Sequence, residues 1–170
     1  SMTGGTISGC RSEYNGGEIY LEDGKVNLGG TGIITSCEGR KGGAICILKT
    51  SSNVPTFTMT SGTVAECSSV SDGGAVYLEG GLVTVSGGEI SDNISVGGNG
   101  GGVSIATGNF IMPEGGTASI TGNTALIDAS KGGCGGGIYV SSVTSDVFVD
   151  VFSGESMDNT ADRFGGGLCV

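Results

Sequence analysis

Histidine is absent from this chain of 170 residues, proline occurs twice, and aromatic residues make up only 5% of it. Without histidine there is no Cys/His pair for zinc and no imidazole to activate a nucleophile. No CxxC spacing occurs either, so zinc sites of the usual kind are not expected. Basic residues are scarce: 7 Lys and Arg stand against 17 Asp and Glu, a net charge of −10. Such a surface repels phosphate backbones and anionic lipid, so nucleic acid is not an expected partner. No apolar run approaches the roughly 20 residues of a membrane-spanning helix, and no direct membrane insertion is expected.

Glycine is what the chain has in excess, at 37 residues, about three times the usual share. The glycines fall in pairs and triplets instead of at every third position, which excludes collagen and favours turn-rich β structure. An apolar fraction of 36% suits one domain, residues 1–170, with its own core.

Self-similarity is the main signal. Gly-Gly-x-[Ile/Leu/Val]-x-[Ile/Leu/Val] occurs six times, as GGEIYL from Gly16, GGAICI from Gly42, GGAVYL from Gly73, GGGVSI from Gly100, GGGIYV from Gly135 and GGGLCV from Gly165. Successive starts lie 26, 31, 27, 35 and 30 residues apart, an irregular spacing that favours a β-solenoid with loops of varying length. Each repeat carries two further short segments of period-two alternation, such as TFTM at 56–59 and TVAEC at 63–67. The expected fold is all-β, a parallel β-helix (β-solenoid) of about six coils, each with three short strands.

Period two assigns the inward columns. The first strand contributes Ile19, Ile45, Val76, Val103, Ile138 and Leu168, the second pairs such as Phe57/Met59 and Phe110/Met112, and the third Ile7, Ile34, Val64, Ile90 and Ile120. A further column closes the third strand: Cys10, Cys37, Cys67, Asn93, Asn123 and Asn159. Asn suits this corner because it tolerates a left-handed backbone and its amide can bond to the Asn one coil above, making a structural ladder. Cys is a small, readily buried substitute. A rise of about 4.8 Å per coil lies within the Cα separation of a disulfide, leaving two alternatives, a Cys10–Cys37 or Cys37–Cys67 bridge or three buried thiols.

These repeats resemble the parallel β-helix repeats of bacterial adhesin-like surface proteins, and are similar to those of chlamydial polymorphic outer membrane proteins, which repeat Gly-Gly-Ala-[Ile/Leu/Val] and Phe-x-x-Asn. GGAI at 42–45 and GGAV at 73–76 match the first motif; Ile90-x-x-Asn93 and Ile120-x-x-Asn123 carry Ile where that family has Phe. The resemblance implies a right-handed parallel β-helix of pectin-lyase-like architecture and an extracellular, cell-surface role in attachment to a host or microbial surface glycan or protein.

Many β-helices act on acidic polysaccharides with clustered carboxylates beside Arg or Lys. Here the acids are scattered, and the nearest candidate group, Asp158, Asp162 and Arg163, reads as a solvated turn. A carboxylate pair in one groove beside Arg40 or Arg163 would favour an enzyme or tail-spike-like polysaccharide binder; a carboxylate-poor groove would favour the adhesin. No catalytic residue, metal or cofactor is expected, and the Gly98 and Gly100–102 run lacks the Lys-Ser/Thr of a phosphate loop.

The outward side of the first strand reads Tyr20, Cys46, Tyr77, Ser104, Tyr139, Cys169. Tyr20, Tyr77 and Tyr139 are the candidate binding residues, because exposed aromatic rows stack on sugar rings or anchor protein partners. The longer loops 49–55, 125–133 and 141–146 are candidate neighbours. Cys134 is expected as an exposed thiol. Since Val170 ends the first strand of a sixth coil, the chain is expected to be a segment of a longer solenoid or to associate end to end.

Overall fold

The computed structural model describes residues 1–129, 131–141 and 147–170. Ser130 and residues 142–146, and with them Asp146 and most of the third candidate loop, lie outside the described residues. The chain forms a parallel β-solenoid of about five turns, with no helix among the described residues.

Three sheets run the length of the stack. A nine-stranded wide sheet holds Ile19–Leu21, Ile45–Leu48, Val76–Val85, Val103–Met112, Ile138–Val140 and Leu168–Cys169, with Lys25–Leu28, Thr56–Met59 and Val147–Val151 alongside. A six-stranded sheet carries Thr6–Ser8, Ile33–Thr35, Thr63–Ala65, Glu89–Ser91, Ser119–Thr121 and Glu155–Met157. Register follows the repeats: Val76 pairs with Ile45 and Val103, and Ile90 with Val64 and Ile120.

Two features depart from three separate strands per coil. In the central coils the first and second strands run on as Val76–Val85 and Val103–Met112, irregular in register between Leu78 and Leu82. There Gly80 and Gly81 turn at φ of 87° and 113° without breaking the sheet. A third sheet also follows the Asn/Cys corner, through Glu38–Gly39, Ser68–Ser69, Ile94–Val96, Thr124–Asp128 and Thr160–Ala161. Its strands are as short as two residues, too few to show a period.

The inward columns form one core. Ile45, Ile47, Phe57, Met59, Val64, Val76, Leu78, Ile90, Ile105, Phe110 and Ile120 are completely buried. Apolar side chains stack on apolar ones through the central coils, such as Ile45 on Val76 and Phe57 on Val83, so each added coil removes the apolar edge of the one before it from water. Val151 and Leu168, in the last coil, remain about half exposed.

The corner ladder exists, with its backbone assigned differently from the expectation. The left-handed residue is the one before the ladder position: Gly9, Ser36, Glu66, Asp92, Gly122 and Asp158, all with φ between 53° and 67°. That turn aims the next side chain inward. Asn therefore serves as a buried hydrogen-bonding group instead of as the strained residue.

Candidate functional site

The ladder is a continuous polar column inside an apolar core. Asn93 Oδ1 accepts from the Cys67 amide at 2.9 Å, Asn123 Oδ1 from the Asn93 amide at 3.0 Å, and Asn159 Oδ1 from the Asn123 amide at 3.0 Å. The side-chain amides repeat the pattern, Asn93 Nδ2 to Asn123 Oδ1 at 2.9 Å and Asn123 Nδ2 to Asn159 Oδ1 at 3.0 Å. Each Asn also donates to a carbonyl of the coil before it: Val64, Ile90 and Ile120 in turn. In the cysteine half the contact weakens to a Cys37 amide against Cys67 Sγ at 3.5 Å. At this corner Cys37 and Cys67 are buried free thiols and Cys10 is a half-buried one. Burial pushes the Cys67 thiol up to about 12.

The outward tyrosine column is not a uniform exposed row. Tyr20 is 46% exposed, but Tyr77 is buried at 4%, with Cys46 and Ser104 beside it also buried. Tyr139 and Cys169 are half-buried. The glycine corner before each first strand doubles back over this face, and at Gly100 an added Cβ would meet Ser104 Cβ at 2.8 Å. Lys41 closes the cover over Tyr77. Its ammonium donates to the Tyr77 hydroxyl at 2.7 Å and lies 4.2 Å from the ring centre, while that hydroxyl donates to Glu79 Oε2 at 2.9 Å. Burial, then the Glu79 carboxylate, raises the Tyr77 phenol well above its ordinary value. Burial, against the opposing charge of Lys41, pushes Cys46 up to about 12.

Tyr20 stands in another setting. Its hydroxyl donates to Glu22 Oε1 at 2.9 Å, and burial followed by that bond pushes the phenol up to about 12. Its ring borders a hollow of about 490 Å³ lined by Ser12, Tyr14, Asn15, Gly16 and Glu18. Tyr14, which no periodic pattern singles out, is 74% exposed there.

A second corner column before the first strand was not anticipated. Asp72 Oδ1 accepts from the Asn99 amide at 2.9 Å, and Asn99 Oδ1 accepts from the Cys134 amide at 3.1 Å. Cys134 is half-buried instead of exposed, and its thiol neighbours Cys169, whose own thiol is raised by burial first and by Cys134 next. Aligning the residue before each Gly-Gly pair would have found this column.

The carboxylate group considered for catalysis has structural duties. Asp158 occupies the left-handed corner at φ 53°, and Asp162 Oδ2 accepts from the Ile127 amide at 2.9 Å. The Arg163 amide donates to Gly133 O at 2.7 Å. Near Arg40, a groove of about 330 Å³ holds Glu13 and Glu38 beside Arg11, with Arg11 Nη2 3.6 Å from Glu38 Oε1.

Among the described residues one set of three metal-ligating side chains converges: Cys10, Glu18 and Cys37, their ligand atoms all within 4.8 Å of one another. Hydrogen bonding to the Glu18 carboxylate, ahead of burial, pushes the Cys10 thiol up to about 11.

Stack, ladder and outer face define a parallel β-solenoid repeat protein. The chain matches no protein-family model, no curated protein and no solved structure.

Proposed function

We propose that this chain is a non-catalytic, extracellular β-solenoid segment that attaches to a host or microbial surface glycan or protein. The observation that carries this reading is the hollow where Tyr14 and Tyr20 expose their rings beside Ser12, Asn15 and Glu18. Ring faces next to hydrogen-bonding groups suit a sugar ring, whose C–H face is apolar and whose edge is hydroxylated. The adhesin-like repeats GGAI and GGAV support the same reading. Such binding requires no cofactor.

Tyr77 supports the face from beneath instead of touching a ligand. Tyr139, half-buried, is a lesser contact. A glycan array beside a panel of surface proteins tests the attachment reading, using the chain and its Tyr14→Ala/Tyr20→Ala double variant. Binding that survives in the double variant would remove the hollow from the account.

A second reading is favoured by the Glu13/Glu38 groove, since two carboxylates near Arg40 are what a polysaccharide-cleaving enzyme would use. Against it, Glu38 faces Arg11 in an open ion pair whose side chains are 43% and 71% exposed, far from the water-excluded setting that makes a carboxyl an effective acid. Release of reducing ends from acidic polysaccharide, lost in Glu38→Gln, would establish this second reading.

A further inference from the structure

Position three of each glycine motif forms a column of its own: Glu18, Ala44, Ala75, Gly102, Gly137 and Gly167. Five of these six are Ala or Gly, and the structure shows why. Ala44 and Ala75 are completely buried, and a Cβ on Gly102 or Gly137 would come within 3.1 Å of Asn123 Cγ or 3.0 Å of Asn159 Nδ2. The column therefore points at the corner ladder. Glu18 breaks it with a long carboxylate, at the end of the ladder where the side chains are Cys10 and Cys37 instead of Asn.

We propose that Cys10 Sγ, Cys37 Sγ and a Glu18 carboxylate oxygen form a binding site for a thiophilic divalent cation of the zinc class. The three residues come from separate segments, the corners after Thr6–Ser8 and Ile33–Thr35 and the start of Ile19–Leu21, so the stacked backbone holds them together. Their ligand atoms already lie within 4.8 Å of one another. Drawing them in to metal bonds of about 2.0–2.3 Å needs only side-chain adjustment. Two thiolates and one carboxylate more than balance the charge of a divalent ion and leave a fourth position for water. On binding, each thiol releases its proton to solvent and forms a sulfur–metal bond, with no change of oxidation state. Glu18 also lines the hollow beside Tyr20, which supplies the path of entry. The absence of histidine and of CxxC hides such a site from motif reading.

The test is a cobalt(II) titration of the full chain, kept reduced with a phosphine, read by thiolate-to-cobalt charge-transfer absorption and then by displacement with zinc. One equivalent is expected to bind. Cys10→Ser and Cys37→Ser should each abolish the band, while Cys46→Ser and Cys134→Ser leave it unchanged. Glu18→Ala, which restores the residue found at 44 and 75 and so keeps the fold, should weaken binding more than about tenfold, the scale seen even for outer-shell partners. No charge-transfer band, a band indifferent to Glu18→Ala, or a Cys10–Cys37 disulfide forming in air with no metal uptake under reduction would overturn the proposal. The readout is the metal alone, so its outcome is independent of the glycan screen.

Discussion

Asn123 Oδ1 accepts two hydrogen bonds from Asn93, one from its backbone amide at 3.0 Å and one from Nδ2 at 2.9 Å, with both residues fully buried. One side chain thus satisfies two donors that have no water to turn to, and its own amide continues the chain of bonds to Ile90 O and Asn159. Low surrounding polarity makes such a column valuable when complete and costly when broken.

Asn123→Ala should therefore destabilise the fold by about 3 kcal/mol, since each buried group left unpaired costs about 1–3 kcal/mol. Chemical denaturation measures this. A loss below about 1 kcal/mol would mean that water or backbone shifts replace the ladder.

The left-handed corner offers the opposite change. Glu66 holds φ 56° without being Gly, Asn or Asp. Its side chain accepts long bonds from Thr35 and Ser36, at 3.5 and 3.3 Å. Glu66→Gly should stabilise by about 0.5–1 kcal/mol, the relief of the left-handed penalty less the entropy that glycine loses on folding. Thermal melting of the two proteins side by side gives the answer.

The outer tyrosines should separate in their effects. Tyr77→Ala removes a ring that is 4% exposed together with its bonds to Lys41 and Glu79, and should cost about 3 kcal/mol of stability. Tyr20→Ala, at a site 46% exposed, should cost below about 1 kcal/mol.

Alkaline pH should unfold the protein. Cys46 and Cys67 have folded values of about 12 against 9.0 for the free thiol. Between pH 9 and 12 the unfolded chain has released these protons while the folded chain still holds them. Stability is thus fully present below pH 9 and is lost as pH rises towards 12. The slope approaches about 1.4 kcal/mol per pH unit for each buried thiol. Denaturation midpoints measured across this range should fall steadily; a flat profile would mean that the thiols are open to solvent.

The apolar columns and the Asn/Cys ladder were legible in the sequence because period-two alternation and six repeats place Ile90 over Val64 and Asn123 over Asn93 without ambiguity. The third sheet was not, since Ser68–Ser69 has no apolar pattern to read. Burial of Tyr77 depends on Lys41, 36 residues away at a corner whose path the repeat alone does not give. The left-handed corner fell one residue earlier than expected because a ladder of side chains needs the turn behind it to aim them inward. Glu18 was legible as an exception in a column of Ala and Gly, but only once its six positions are set against the ladder they face.

The attachment account rests on Tyr20 and its hollow, and the most direct measurement is the affinity of one array-positive glycan for the chain, for Tyr20→Ala and for Tyr77→Phe. The account predicts that Tyr20→Ala loses more than about 1.4 kcal/mol, a tenfold drop, while Tyr77→Phe, which keeps the buried ring, binds like the parent and no variant releases product. Equal affinity in Tyr20→Ala, or cleavage of the glycan by the parent chain, would contradict it.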